Sequence, residues 1–355
     1  MIHLQRSMIA GLEGPSPDPQ AVLAALQQAI ELEHSTIPPY LYALYSLDET
    51  KNTEIAAIIQ SVVIEEMLHM TLSSNVLNAL GGSPAINQPN FIPTYPGPLP
   101  GGVEAQLTVH LAPFSMSGTP NQLQTFLTIE EPEDPLNFPT ALVEADTITI
   151  GEFYTAISDA IAILGDGAFV GSPSNQVGPD LMWESVVVTD VATAQQAIQI
   201  IVEQGEGTTT SPLEVDGGGY AHYYRYMQIQ KGHLLVPVAN PGPNPDDAYA
   251  YTGDPVPFDP TGVYAVPVDP GGYAPGTQAA FLNDNFNYTY TSLLNALHDL
   301  FNGDANQDQM NRAIGVMMSL KGQAKAMMSG IPNPALLVGP SFQYQPVNPA
   351  VQSAA

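Results

Sequence analysis

Residues 55–80 read IAAIIQSVVIEEMLHMTLSSNVLNAL. Apolar side chains recur in this stretch in steps of three and four, which is the spacing of one face of an α-helix. That face carries Ile55, Ile59, Val62, Glu66, His69, Ser73, Val76 and Leu80. Glu66 and His69 are therefore polar side chains near the centre of a face that we predict to be buried.

The spacing of these two residues points to a metal site. Glu66 and His69 are three positions apart, so their side chains project side by side from the helix. Di-iron and di-manganese helical bundles use Glu-x-x-His as half of their site, and glutamates from neighbouring helices complete it. A buried, unpaired carboxylate is strongly destabilising, and a divalent metal ion would neutralise it. A buried hydrogen-bonded pair without metal is the alternative.

The composition describes an acidic globular chain. Its 355 residues are 44% hydrophobic, which is enough for a sizeable core. There are 35 Asp and Glu residues against 7 Lys and Arg residues, and a net charge of -28 repels phosphate backbones and anionic membranes. We therefore expect neither nucleic acid nor a membrane as a partner. The absence of cysteine excludes disulfides, thiolate metal sites and a cysteine nucleophile.

The start of the chain bears on its location. Residues 1–14, MIHLQRSMIAGLEG, lack the apolar run of about 7–15 residues that a secretory signal peptide contains. No purely apolar run approaches the roughly 18 residues of a membrane span. We expect a cytoplasmic protein.

Hydrophobic periodicity predicts a mainly α-helical protein in a single domain, 1–355. The bundle core covers about 19–80 and 148–230, with helices near 19–47, 55–80, 149–164, 190–204 and 220–230. A Pro- and Gly-rich loop at 231–278 is predicted to wrap the bundle, and C-terminal helices follow within 279–330. A short helix is expected at 121–129, and short strands are expected at 106–111 and 183–189.

Glutamates on other predicted helices are candidate partners for Glu66 and His69. Glu33 lies on the apolar face of the first helix. The alternative interpretation is that its side chain extends to the solvent. Glu152 falls in the first turn of another helix, where the sequence TIGE at 149–152 is also a capping-box pattern.

Two further candidates come from the second half of the bundle. Glu206 lies one turn beyond the apolar line of the helix at 190–204, and Glu203 is its substitute as a ligand. The alternative is that Glu206 is an ordinary acidic residue in a loop beside glycines. His222 belongs to the aromatic run YAHYYRY at 220–226, where a packed core histidine is the alternative to a ligand.

Several motifs resemble one known family, the iminophenyl-pyruvate dimer synthases of violacein- and rebeccamycin-type bisindole biosynthesis. They are ELEHSTIPPYL at 31–41, EEMLHM at 65–70, NVLNALGGSP at 75–84, IGEFY at 150–154, QGEG at 204–207, HYYRY at 222–226, NYTYTSLL at 287–294 and GPSFQY at 339–344. The resemblance implies a ferritin-like four-helix bundle, to which the sequence pattern adds extra C-terminal helices, long Pro/Gly-rich wrapping loops and minor short β-strands. It also implies non-haem iron and oxidative coupling of imines derived from aromatic amino acids. It carries ligand status to Glu33, Glu66, His69, Glu152, Glu206 and His222.

These observations predict a metal-dependent oxidoreductase that acts on a small amino-acid-derived substrate. One or two iron ions are expected, with manganese or zinc as alternatives. Arg225 and Tyr223 are candidates for the substrate pocket, together with Tyr40 and Tyr226. The sequence is compatible with a homodimer. The rival interpretations are a structural metal site without turnover and a protein that removes peroxide or dioxygen without an organic substrate.

Overall fold

The computed structural model describes residues 3–102, 107–132, 146–206, 212, 219–242 and 245–345. This part of the chain is mainly helical, as predicted, with few short strands. Its α-helices are α1 (Pro19–Tyr45), α2 (Thr53–Ala79), α3 (Gln122–Ile129), α4 (Ile150–Leu164), α5 (Val191–Glu206), α6 (His222–Lys231), α7 (Gln278–Asn302) and α8 (Gln307–Met328).

Four of these helices form a bundle. Helix α1 packs on α2, α2 on α5, α5 on α4, and α4 on α1, so the four close a ring around a common core. Helices α3 and α6 contact each other, and α6 also packs on α2 and α5. The α7–α8 pair lies outside the ring, where α7 contacts α2 and α8 contacts α1.

Helix α1 has a capping residue at its start and contains two prolines, Pro38 and Pro39. Asp18 caps the helix by accepting a hydrogen bond from the backbone N–H of Gln20. Pro39 has no N–H to donate to the carbonyl of Ser35 one turn earlier. The hydroxyl of Tyr95 donates to that carbonyl instead, at 2.6 Å. The helix therefore continues to Tyr45.

A glycine ends α2 at the predicted place. Gly81 has φ +83°, a left-handed conformation that favours glycine. In this conformation the N–H of Gly82 donates to the carbonyl of Leu77 at 2.9 Å, which satisfies one of the last free carbonyls of the helix. The preceding seam, from Ile55 to Leu80, is buried along its whole length, as its periodicity predicts.

Helix α2 passes a composition test for a membrane helix but lies in the protein interior. Among the described residues it is the one helix long and apolar enough to cross a bilayer. However, 61% of its most apolar window is buried inside the protein, which is typical of the core helix of a soluble protein.

The β-structure differs from the prediction. Strands β1 (Leu4–Gln5) and β2 (Thr147–Ile148) form one antiparallel pair, and β3 (His233–Pro237) and β4 (Tyr249–Pro255) form another. The segment 231–278, predicted as a loop, thus contains a two-stranded antiparallel ribbon. The strands predicted at 106–111 and 183–189 are wrong within the described residues.

Within residues 183–189, a side chain satisfies the backbone groups of Val188. The amide of Gln176 donates to the carbonyl of Val188 at 2.8 Å and accepts from its N–H at 2.6 Å. A side chain thus takes the hydrogen bonds that a neighbouring strand would otherwise provide. In the other segment, Val109 makes only an isolated bridge to Gly97.

Candidate metal centre

The centre begins with the two polar residues of α2. Glu66 is 3% exposed and His69 is 2% exposed, so both side chains are in the interior of the bundle. The hydroxyl of Thr36 donates to Oε2 of Glu66 at 2.8 Å. Residues of α1 and α2, the most extensively packed pair of helices, therefore meet at this carboxylate.

A first group of possible ligands forms between α1 and α2. Nδ1 of His69 lies 3.4 Å from Oε2 of Glu33. Ligand atoms of Glu33, Glu66 and His69 all lie within 4.8 Å of one another, and the three side chains are buried. The seam position of Glu33 in the sequence is matched by its position in the fold.

A second group shares Glu66 with the first. His222, at the start of α6, has its Nδ1 at 2.9 Å from Oε1 of Glu66 and 3.3 Å from Oε2 of Glu130. Glu130 follows the last residue of α3. Ligand atoms of Glu66, Glu130 and His222 also lie within 4.8 Å of one another. Two groups joined by one carboxylate are the arrangement expected of a two-metal centre.

The two histidines are held by different outer partners. Nε2 of His69 lies 2.9 Å from Oε1 of Gln204 on α5. Nε2 of His222 lies 3.0 Å from Oε2 of Glu65, the neighbour of Glu66 on α2. In each ring the other nitrogen, Nδ1, is the atom that faces the carboxylates.

Two buried tyrosines hold the outer carboxylates. The hydroxyl of Tyr154 donates to Glu33, and the hydroxyl of Tyr40 donates to Glu130. Burial and the charge of the neighbouring carboxylate raise both tyrosine pKa values well above the usual 10.0. Both hydroxyls therefore keep their protons and act as donors.

Protonation shows how strongly the cluster attracts positive charge. Burial and then the charge of Glu130 raise the pKa of Glu66 to about 7, although the hydrogen bond from His222 acts against this. Burial alone would lower the pKa of His222, but Glu130, Glu65 and Glu66 outweigh it and raise that pKa well above 6.5. Burial likewise opposes a raised pKa at His69, where Glu33 outweighs it.

These groups fit a metal ion. Three carboxylates and two imidazoles converge in the interior, and without metal they retain protons near neutral pH. A divalent cation would replace those protons and relieve the repulsion between the carboxylates. Carboxylate and imidazole ligands suit iron, manganese and zinc.

The comparisons with known proteins agree with this geometry. A family model described as Ferritin-like matches residues 26–231, which contain all of the residues just described. The chain belongs to the ferritin-like family. A crystal structure of a ferritin-like protein from Caulobacter vibrioides is similar over 91% of this chain and 97% of that chain. Its TM-score is 0.62 and its sequence identity is 24%, so this likeness concerns the fold alone. No curated protein sequence gives a match.

Of the other acids considered as ligands, Glu152 and Glu203 lie away from the two groups. Glu152 is exposed and completes the capping box of α4, where its Oε2 accepts from the N–H of Thr149 at 3.0 Å. Glu203 accepts a hydrogen bond from Gln199 at 2.7 Å on the outside of α5. Glu206 ends α5, but its side chain lies outside the described residues. Neither Glu152 nor Glu203 belongs to the two groups.

Three of the residues predicted for a substrate pocket, Tyr223, Arg225 and Tyr226, belong to α6, and Tyr40 belongs to α1. Nη1 of Arg225 donates to Oε1 of Glu65 at 2.7 Å and to Ser61 at 3.2 Å, so its guanidinium already binds protein groups. Tyr223 is buried against Tyr224, with ring centroids 5.4 Å apart. Their role in substrate binding stays a prediction.

A small cavity opens onto the carboxylates. Its volume is about 60 Å³. Its polar lining residues are Glu33, Thr36, Glu66, His69, Glu130, Glu131 and Tyr154. Its apolar lining residues are Leu32, Leu99, Ile129, Ile150, Ile201 and Val202. A small molecule in this cavity would contact Glu33, Glu66, His69 and Glu130 while most of its surroundings remained apolar.

Glu130 is a candidate ligand that the sequence analysis did not identify. It stands at the end of an eight-residue helix and begins the acidic run EEPEDP at 130–135, so no seam singles it out. The available signal was that it directly follows the apolar helix Gln122–Ile129, whose buried face leads into the interior.

Proposed function

We propose that this ferritin-like protein is a non-haem iron oxidoreductase with two metal positions. The observation that supports this most directly is the sharing of Glu66 between two groups of ligands. Glu33, Glu66 and His69 would hold one ion, and Glu66, Glu130 and His222 would hold the other. When bound, iron would supply the electrons for reducing dioxygen or peroxide. Manganese and zinc are the alternative metals for the same ligands.

The surrounding side chains would keep the ligands in place. Tyr154 and Tyr40 orient the carboxylates of Glu33 and Glu130 through hydrogen bonds. Thr36 orients Glu66 in the same way. Because these donors are buried, the carboxylates have fixed directions before a metal binds, and little reorganisation is needed.

For the substrate, the proposal follows the narrower resemblance. A small amino-acid-derived molecule, such as an aromatic 2-imino acid, would be oxidised in the cytoplasm. The motifs at 31–41 and 65–70 are the support for this, because both contain residues of the centre. Tyr223 and Arg225 are on α6, within three residues of His222. They would contribute to recognition of the substrate.

The size of the cavity favours a second candidate function. Pockets for organic ligands usually have volumes of about 300–1,000 Å³. The cavity at the centre has about 60 Å³, which suits dioxygen or hydrogen peroxide without rearrangement. Removal of peroxide or dioxygen with no organic substrate is therefore the alternative, and it uses the same metal ligands.

Metal analysis tests the part of the proposal that both candidates share. Protein purified without added metal is analysed for metal content, and so is the double variant Glu66→Ala/His69→Ala. We expect bound iron in the wild type, its loss in the variant and an unchanged helical circular dichroism spectrum. A wild type without stoichiometric metal would contradict the proposal.

Turnover is then measured on the iron-loaded wild type. Dioxygen consumption that requires an aromatic 2-imino acid supports the oxidoreductase. Consumption of peroxide or dioxygen that is unaffected by imino acids supports the detoxifying alternative. A metal-loaded protein with neither activity would leave a structural metal site, and both enzymatic proposals would be wrong.

A further inference from the structure

The two groups of ligands are closely matched in their inner residues. Each has one glutamate of its own, one histidine that presents Nδ1, and the shared Glu66. Each private glutamate also accepts a hydrogen bond from a buried tyrosine, Tyr154 in one group and Tyr40 in the other. The clearest chemical difference between the two positions therefore lies in the groups outside the ligands.

The outer partner of His222 is a carboxylate. Oε2 of Glu65 lies 3.0 Å from Nε2 of His222, and Oε1 of the same group accepts from Nη1 of Arg225 at 2.7 Å. Glu65 is thus fixed from both sides. A carboxylate behind a ligating histidine fixes the ring orientation and makes Nδ1 a stronger donor to a metal.

The outer partner of His69 is an amide. Oε1 of Gln204 lies 2.9 Å from Nε2 of His69. Nε2 of Gln204 donates to Oε2 of Glu184 at 3.1 Å, which sets the direction of the amide and leaves Oε1 facing the imidazole. This arrangement orients His69 as well as Glu65 orients His222, but the atom touching the ring belongs to a neutral group.

From this contrast we infer that the two metal positions are unequal and fill in order, with the Glu130–His222 position first. The inference rests on the proposed two-metal centre. Glu65 and the Glu184–Gln204 pair are positioning residues, since they act through the histidines and touch no ligand site directly. Outer carboxylates of this kind alter metal affinity about 10–100-fold. The order of filling is thus set by which histidine has the carboxylate behind it.

The metal-free protein is titrated with Co²⁺, and binding is monitored by calorimetry and by visible absorption. This titration measures the Co²⁺ affinity of each of the two positions. The wild type should show two steps separated by about 10–100-fold. Glu65→Gln should weaken the first step by a similar factor, so that the two steps merge. Glu203→Gln is the control: Glu203 is a half-buried neighbour of Gln204 on α5 that belongs to neither group, so this variant should leave both steps unchanged.

A second variant tests the inference without touching Glu65. The exchange Glu184→Gln/Gln204→Glu keeps the total charge and places the carboxylate against His69 instead of the amide. It should strengthen the second step, so that the two affinities converge. Anomalous scattering from crystals with one equivalent of Co²⁺ should place the ion beside His222 in the wild type.

Two results would overturn the inference while the two-metal centre stands. One is a wild type that binds two ions with equal affinity, and the other is a first ion beside His69. A protein that binds no Co²⁺ at all would instead overturn the proposed function, and the inference with it. Circular dichroism of each variant shows whether a changed titration reflects the centre or a loss of fold.

Discussion

Nδ1 of His222 lies 2.9 Å from Oε1 of Glu66. This contact joins α6 to α2 and makes Glu66 the one residue common to both groups of ligands among the described residues. Its carboxylate is also the one whose pKa burial and Glu130 raise to about 7. The consequences of removing this charge are therefore opposite with and without metal.

Replacing Glu66 with Gln should abolish metal binding at both positions but stabilise the metal-free protein above neutral pH. The folded-state pKa of about 7 exceeds the usual 4.5, so the metal-free wild type loses stability as pH rises from about 4.5 to 7. The variant has no such charge to bury and should lose less, by on the order of 1–3 kcal/mol. Urea unfolding of both proteins at pH 5 and pH 8, with chelator present, measures this difference.

If both proteins lose the same stability between these two pH values, the buried charge of Glu66 is not the cause. Addition of metal at pH 8 provides the control, because it should stabilise the wild type and leave Glu66→Gln unchanged.

Replacing Glu152 with Ala should affect stability alone. Its carboxylate accepts from the N–H of Thr149 in the capping box of α4. Loss of a helix cap destabilises by about 1 kcal/mol. Metal stoichiometry and affinity should equal those of the wild type. A variant that folds but binds less metal would show that Glu152 is a ligand after all.

The two tyrosines at the centre should have separable effects on metal affinity. Tyr154→Phe removes the hydrogen bond to Glu33, and Tyr40→Phe removes the one to Glu130. Each change removes the outer partner that orients one ligating carboxylate, and loss of such a partner typically weakens metal binding by about 10–100-fold. Tyr154→Phe should therefore weaken the position beside His69, and Tyr40→Phe the position beside His222, each by about tenfold or more.

Metal titration of the two tyrosine variants distinguishes this from a general packing defect. An equal loss at both positions in either variant would contradict a role in holding one particular carboxylate.

A buried histidine outside the centre should make the protein sensitive to acid. Burial lowers the pKa of His34 from 6.5 to about 3. As pH falls, the imidazole of His34 therefore binds a proton in the unfolded chain before it does so in the folded protein. The folded protein loses stability between about pH 6.5 and 3, by up to roughly 1.4 kcal/mol per pH unit. His34→Gln can still reach the hydroxyl of Tyr290, which lies 2.7 Å from Nε2 of His34.

The comparison should be made on the slope of stability against pH, because the variant also loses ring contact with Phe91. Urea midpoints of metal-free wild type and His34→Gln at pH 7, 5 and 4 give the two slopes. The variant should have the shallower slope, and parallel slopes would contradict the assignment of acid sensitivity to His34.

The helices were predictable because their hydrophobic periodicity is long and regular. The seam of α2 is buried from end to end, and the predicted C-terminal span 279–330 contains α7 and α8 to within one residue. The ribbon of β3 and β4 was not predictable in the same way. Its strands lie in a segment rich in Pro, Gly, Asp and Tyr, whose composition is typical of a loop.

At the centre, the sequence identified the residues that lie on regular seams. Glu33, Glu66 and His69 have seam positions, and the aromatic run directed attention to His222. Glu130 follows a short helix and stands in an acidic run, so only tertiary packing selects it. On α5 the sequence pattern identified the acids Glu203 and Glu206 as candidates and did not identify Gln204. Gln204 is not a typical metal ligand and acts through His69 instead.

The sharing of Glu66 by two metal ions can be tested with crystals of the iron-loaded protein, measured at energies on either side of the iron absorption edge. We expect two anomalous peaks per chain, one among Glu33, Glu66 and His69 and the other among Glu66, Glu130 and His222. A loaded crystal with no peak at Glu66, or with iron bound only to exposed carboxylates, would contradict it.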